Sequence, residues 1–216
     1  MYPNIFIAGG SGTGKSTSLR NLDPETTIII NTERKVLPFR GAKKFAKQVM
    51  VDSFEKFEAS LNKALQSDCK VIVIDSFTSL VELSHTKNIR HGDKSGDGAF
   101  QSWNQYYYSL HDTLLKCKSS NKFVVFIGID EIIQDHELRM IKTVAVQGQL
   151  KGKVEKEFEI VLWTHTDGEK YYFMTNTDGV NKAKSPMGMF DQKLIDNDLN
   201  YVINKIETYY QEEEAA

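Results

Sequence analysis

Cysteine is scarce, with only Cys69 and Cys117 among 216 residues. They form no CxxC pair, so the usual zinc and dithiol spacings are absent and two core thiols in a reducing compartment are expected. None of the five histidines, His85, His91, His111, His136 and His165, falls at zinc spacing. No apolar run approaches the about 18 residues of a membrane span. The first residues, Met1 to Ala8, lack the basic region of a secretory leader. A cytoplasmic chain without membrane contact is therefore expected. An excess of positive charge is missing too: 27 basic against 29 acidic residues leave a net charge of −2. That discounts a permanently bound nucleic-acid protein without excluding local basic loops. No repeat or interdomain linker interrupts the chain, so one domain over 1–216 is expected, with an acidic tail at 211–216 that frays.

Short buried strands and amphipathic helices alternate along the chain. Asn4–Ala8, Thr26–Asn31, Gln48–Val51, Lys70–Asp75 and Lys122–Ile129 read as strands. Their continuous β-branched runs suit a sheet covered on both faces. A helix is predicted from about Gly14 to Leu19, and another after Asp52, whose spacing to Glu55 matches a capping box. Ser84–Gly98 reads as a mobile loop. Phe100–Lys116 reads as a helix with Phe100, Trp103, Tyr107, Leu110 and Leu114 on its inner side. Asp130–Glu157 has no lasting period and fits either short strands or a loop ordered on binding. Phe158–Thr164 and Tyr171–Thr175 read as a hairpin turning at Asp167-Gly168. Asn197 or Asp198 caps a last helix carrying Leu199, Val202, Ile203, Ile206 and Tyr209. The fold class is α/β, with a mainly parallel central sheet flanked by helices and the later strands adding an antiparallel edge.

The sharpest signal is Gly9-Gly10-Ser11-Gly12-Thr13-Gly14-Lys15-Ser16, a full GxxxxGK[ST] pattern between a strand and a helix start. Small residues let successive backbone N–H groups converge on a polyphosphate, and the helix start adds unpaired donors. Lys15 is expected at the β- and γ-phosphates, the Ser16 hydroxyl on Mg²⁺, and Thr17 at the α-phosphate. Val71–Asp75 is an apolar strand ending in a carboxylate, which suits Asp75 to the Mg²⁺ shell; Ser76 follows, either bonding nearby or capping the next turn. Glu33 lies just past Thr26–Asn31, at the edge expected to hold Gly9 and Asp75. It is the candidate to activate water, with Glu131 a lesser one.

On these motifs the chain resembles the RecA-like P-loop ATPases, and more narrowly small bacteriophage ATP-binding proteins related to single-strand-annealing recombination proteins. The narrower resemblance rests on the segments Lys35–Gly41, Lys184–Phe190 and Asn197–Leu199. It implies a RecA-like core, ATP and Mg²⁺ as ligands, Glu33 as the catalytic carboxylate and Phe123–Ile129 as the strand that ends in a γ-phosphate sensor. Here Asp130 falls at the sensor place. An anion facing a phosphate is repulsive unless a metal, water or basic group lies between them, so the usual sensing mechanism is in doubt. The resemblance also implies a homo-oligomer with nucleotide near the subunit interface and a basic finger from a neighbour, for which Lys182 and Lys184 are candidates beside an ordinary surface role. Single-stranded DNA and phage recombination or replication proteins are the implied partners.

Two segments carry the cations for such a strand: Lys87, Arg90 and Lys94 in the first, and Arg139, Lys142, Lys151 and Lys153 in the second. Interleaved acids fit solvated loops equally well. Trp103 and Tyr107 fall at helical spacing and read as packing residues, while Tyr106 and Tyr108 are expected to include an exposed ring. The expected activity is Mg²⁺-dependent ATP hydrolysis coupled to phage DNA recombination, annealing or repair. A small-molecule kinase and a slowly hydrolysing nucleotide-dependent scaffold are the alternatives.

Overall fold

The computed structural model describes residues 2–215. Its strands are β1 (Ile5–Gly9), β2 (Thr27–Asn31), β3 (Gln48–Met50), β4 (Val71–Asp75), β5 (Phe123–Gln134), β6 (Met140–Val144), β7 (Ile160–Thr166), β8 (Tyr171–Met174) and β9 (Leu194–Asp196). The α-helices are α1 (Phe54–Gln66), α2 (Phe77–His85), α3 (Gly96–Lys118) and α4 (Leu199–Ala215). The sheet runs β3-β2-β4-β5-β1-β7-β8-β9, with β6 paired to β5 alone. The pairs from β3 through β7 are parallel, and β7–β8, β8–β9 and β5–β6 are antiparallel. This mostly parallel sheet between helices is the architecture expected of a P-loop nucleotide-binding fold.

Strand alternation splits the core in two. Val124 and Phe126 of β5 point to the face covered by α1, α2 and α3. Phe123, Val125 and Ile127 point to the opposite face, where Leu19, Leu199, Val202, Ile203 and Ile206 close the second cluster. Cys69 and Cys117 are buried free thiols, as their isolation in the sequence suggested. Among the described residues no helix is long and apolar enough to cross a membrane.

Several local expectations are corrected. The segment after the glycine loop is a 3₁₀ helix over Ser16–Asn21 and not an α-helix from Gly14. The cap of α1 is Ser53, whose side chain accepts from Lys56 N, while Asp52 pairs with the Lys56 ammonium. Ser84–Gly98 is largely helical: α2 runs to His85, a π-helical turn spans Thr86–Arg90, and α3 already begins at Gly96. The misleading feature was polarity, because the buried face here includes Ser84 and Asn88, with Asn88 Nδ2 donating to Ser84 O at 3.0 Å. The inner face of α3 is also rotated from the expected one. It consists of Ser102, Tyr106, Leu110, Thr113, Leu114 and Cys117, and leaves Phe100 69% and Trp103 44% exposed. Small polar Ser102 and Thr113 occupy tight positions that hydrophobicity alone assigns to the outside. Tyr108 is the exposed tyrosine, while Tyr106 is buried.

Asp130–Glu157 resolves into the end of β5, the strand β6 and two 3₁₀ turns. Asp198 caps α4, its Oδ1 accepting from Asn200 N at 2.9 Å and Tyr201 N at 3.3 Å. Of the tail at 211–216, the backbone of α4 continues to Ala215. Ala216 lies outside the described residues.

Candidate functional site

The parallel strands place the carboxyl ends of β1, β2 and β4 along one rim. The loop Gly9–Ser16 leaves β1 there, and β5 lies between β1 and the Asp75 strand. A cleft of about 330 Å³ follows this rim, walled by Ser11, Gly12, Gly14, Lys15, Ser16 and Thr17 on one side and by Glu33, Lys35, Asp75 and Ser76 on the other. Glycine is required at Gly14, which has φ +93° and where a Cβ would stand 2.7 Å from the ring of Tyr171. It is required at Gly9 as well, where a Cβ would meet Thr164 Oγ1 at 1.9 Å.

Lys15 Nζ donates to Gly9 O at 2.9 Å and to Gly10 O at 2.5 Å, folding over the loop. Burial pulls its pKa below the ordinary lysine value, against the opposing charges of Asp130, Asp75 and Glu33. Ser16 Oγ donates to Asp75 Oδ2 at 2.8 Å, so the two groups expected at Mg²⁺ meet across the cleft. Burial raises the Asp75 carboxyl to about 6; the bond from Ser16 opposes the shift and the charge of Glu33 adds to it. Glu33 accepts from Ser76 Oγ at 2.9 Å and pairs with Lys35 at 2.8 Å. Burial pushes the Glu33 carboxyl up, but the bonds from Lys35 and Ser76 and the nearby ammonium charges outweigh it and hold it below the usual value. Glu33 is therefore an anion at neutral pH. The ends of β2 and β4 are laced together: Thr32 N donates to Asp75 O, and Thr32 Oγ1 bonds Ser76 O, both at 2.8 Å.

Asp130 stands where β5 leaves the main sheet. Its Oδ2 accepts from Trp163 Nε1 at 3.0 Å, and its Oδ1 lies beside Gly10. Glu131 points elsewhere, to an ion pair with Lys151 at 3.2 Å. Lys182 is occupied within the chain, donating to Gly152 O and lying 3.6 Å from the buried Glu155. Lys184 is held through its backbone, which bridges Val161 of β7. Among the nucleic-acid candidates, Lys87 pairs with Glu55 and Glu58, and Arg139 pairs with Asp135 and Glu137. Arg90, Lys94, Lys142 and Lys153 form no ion pair among the described residues.

Sequence reasoning missed Thr32, Lys35, Trp163, Thr164 and Tyr171. Lys35 was findable, two residues from Glu33. Thr164 and Tyr171 reach the loop from about 150 residues away, Trp163 reaches Asp130, and none of the three carries a local signal.

The donor set fits a polyphosphate: small residues, one ammonium and the amides of a loop that a Cβ would obstruct. Among the described residues no three His, Cys, Asp or Glu groups converge as a metal cage. Ser16 and Asp75 supply one hydroxyl and one carboxylate, which suits an ion completed by phosphate oxygens and water, the common arrangement for Mg²⁺.

A family model described as an AAA domain matches residues 1–187. No curated protein matches the chain.

Proposed function

We propose, from the premise that this chain belongs to the AAA domain family, that it binds ATP with Mg²⁺ and hydrolyses the terminal phosphate. The observation that carries this reading is the meeting of three groups on one rim: Ser16 bonded to Asp75, with Glu33 anchored on Ser76 beside them. Loop amides and Lys15 would hold the phosphates, and Ser16 and Asp75 would hold Mg²⁺. The metal, when bound, neutralises phosphate charge as a Lewis acid. Glu33 orients water and accepts its proton as the water oxygen bonds to the γ-phosphorus and the bond to the ADP oxygen breaks. The choice of ATP over GTP rests on the resemblance to RecA-like ATPases.

Coupling to single-stranded DNA is the wider part of the proposal. Its support is the position of Lys142 and Arg139 on and beside the β5–β6 ribbon, which departs from the sheet at Asp130 next to the loop. A strand held on that ribbon would share β5 with the nucleotide site. Exposed ion pairs such as Arg139–Asp135 contribute only about 0–1 kcal/mol, so a phosphate backbone competes with them readily. The Glu33–Lys35 pair favours the slow, partner-stimulated variant of the same reading, because the base must exchange an ammonium for water.

The test is steady-state ATP turnover with and without single-stranded DNA, with particle mass recorded under the same conditions. Glu33→Gln should retain binding and lose roughly 10²–10⁴-fold in turnover, while Lys15→Ala should lose binding itself. Near-normal turnover in either variant removes that residue from its role. Phosphate transfer to a small acceptor, indifferent to DNA, would establish a kinase instead.

A further inference from the structure

A second cavity, of about 440 Å³, opens beside the phosphate cleft and shares Thr17 and Tyr171 with it. Arg20 and Asn197 line it as well, and the exposed Lys170 and Asp196 add one charge of each sign. Hydrogen bonds to the backbone tie its lining together. Asn197 N donates to Tyr171 O at 3.3 Å, while Arg20 Nη1 donates to Asn197 O at 2.5 Å and to Thr17 O at 3.2 Å. The Tyr171 ring lies against Gly14, and the residue keeps 41% of its surface exposed. Asn197 is only 1% exposed, yet neither its Nδ2 nor its Oδ1 has a hydrogen-bond partner among the described residues. A buried carboxamide with its donors and its acceptor unpaired is costly to the fold and uncommon. Helix capping does not account for it, because Asp198 caps α4.

We propose that this cavity is the nucleobase subsite, with Tyr171 as its stacking surface and the Asn197 carboxamide as the reader of the adenine edge. This deepens, and rests on, the reading of the loop as an ATP site. With the α-phosphate at Thr17, the nucleoside leaves the cleft past the two residues that both spaces share. The exposed aromatic ring offers the base a face to stack on. Asn197 lines the cavity, so a turn of its side chain brings both unpaired atoms to the base. Its Oδ1 then accepts from the N6 amine and its Nδ2 donates to the ring nitrogen next to that amine. Arg20, bonded to both Thr17 and Asn197, fixes this reader to the segment that follows the phosphate loop.

Titration calorimetry with three magnesium-loaded ligands tests the subsite: ATP, tripolyphosphate, and purine riboside triphosphate, which lacks the N6 amine. In the wild type the analogue should bind about tenfold more weakly than ATP, because it leaves Oδ1 unpaired. That comparison uses the unaltered chain and holds even where a substitution is not tolerated. Asn197→Leu should weaken ATP about tenfold relative to tripolyphosphate and close the gap between ATP and the analogue. Tyr171→Leu should weaken ATP about tenfold relative to tripolyphosphate, with Tyr171→Phe near the wild type. If the wild type binds tripolyphosphate but holds ATP and the analogue equally, the phosphate site stands and the base subsite is overturned. A gap that persists undiminished in Asn197→Leu overturns it too, since another group then reads the amine. If the wild type binds neither ATP nor tripolyphosphate, the nucleotide reading itself fails, and the subsite falls with it.

Discussion

Asp75 illustrates how a buried carboxyl burdens the fold it belongs to. Its carboxyl titrates at about 6 in the folded chain against an ordinary 3.8, chiefly because burial disfavours the anion. A raised carboxyl holds its proton more tightly folded than unfolded. Its contribution to stability is fully present below the unfolded value and is lost as pH rises through the window up to about 6. Asp75→Asn removes that loss while keeping an acceptor for the Ser16 hydroxyl. The variant is expected to be more stable than the wild type by about 1–3 kcal/mol near neutral pH, with the advantage vanishing at about pH 4. Urea unfolding at the two pH values measures it. An Asn variant destabilised at both would show that the carboxylate is satisfied where it stands. The expected gain comes with lost turnover, the usual trade between stability and a strained site.

Elements were legible where a single period ruled them. The β-branched runs of β1, β2 and β4 and the stripe Leu199, Val202, Ile203 and Ile206 of α4 are one-period signals, and the fold follows them. Legibility failed where small polar side chains line a buried face, as at Ser84, Asn88, Ser102 and Thr113. It failed again in β5, which outruns its apolar stretch by pairing with β6 as a ribbon. Glu155, invisible in the sequence as a structural residue, fastens that ribbon: its buried Oε1 accepts from Thr143 Oγ1 and from Val144 N, with Lys182 near the other oxygen. Glu155→Ala strips a buried amide and a buried hydroxyl of their acceptor and leaves Lys182 without its carboxylate. The expected loss is about 2–4 kcal/mol, with faster amide exchange along β6. Glu155→Gln, which keeps an acceptor, should lose less; equal losses would mean that side-chain volume holds the ribbon rather than the acceptor.

At the scale of the whole molecule the charge of the cleft decides what a single chain is able to do. Lys15 and Lys35 face Glu33 and Asp75 there, and Asp130 stands close by. A triphosphate arriving with Mg²⁺ still develops charge on its leaving oxygen that this balance does not offset. We propose a neighbouring copy as the source of one more cation. Of the two candidates, Lys182 is committed to Glu155, which leaves Lys184. If copies assemble head to tail, as we propose, the Lys184 of one copy would stand against the loop of the next, and the two catalytic contributions would come from different chains. Chains carrying Glu33→Gln and chains carrying Lys184→Ala should each be nearly inactive alone. Mixed in equal amounts and reassembled, about a quarter of interfaces join an intact Glu33 to an intact Lys184, and turnover should return in that proportion. Turnover per chain should also rise with protein concentration as interfaces form. A mixture no more active than its parts, with Lys184→Ala alone fully active, would place the whole reaction within one chain.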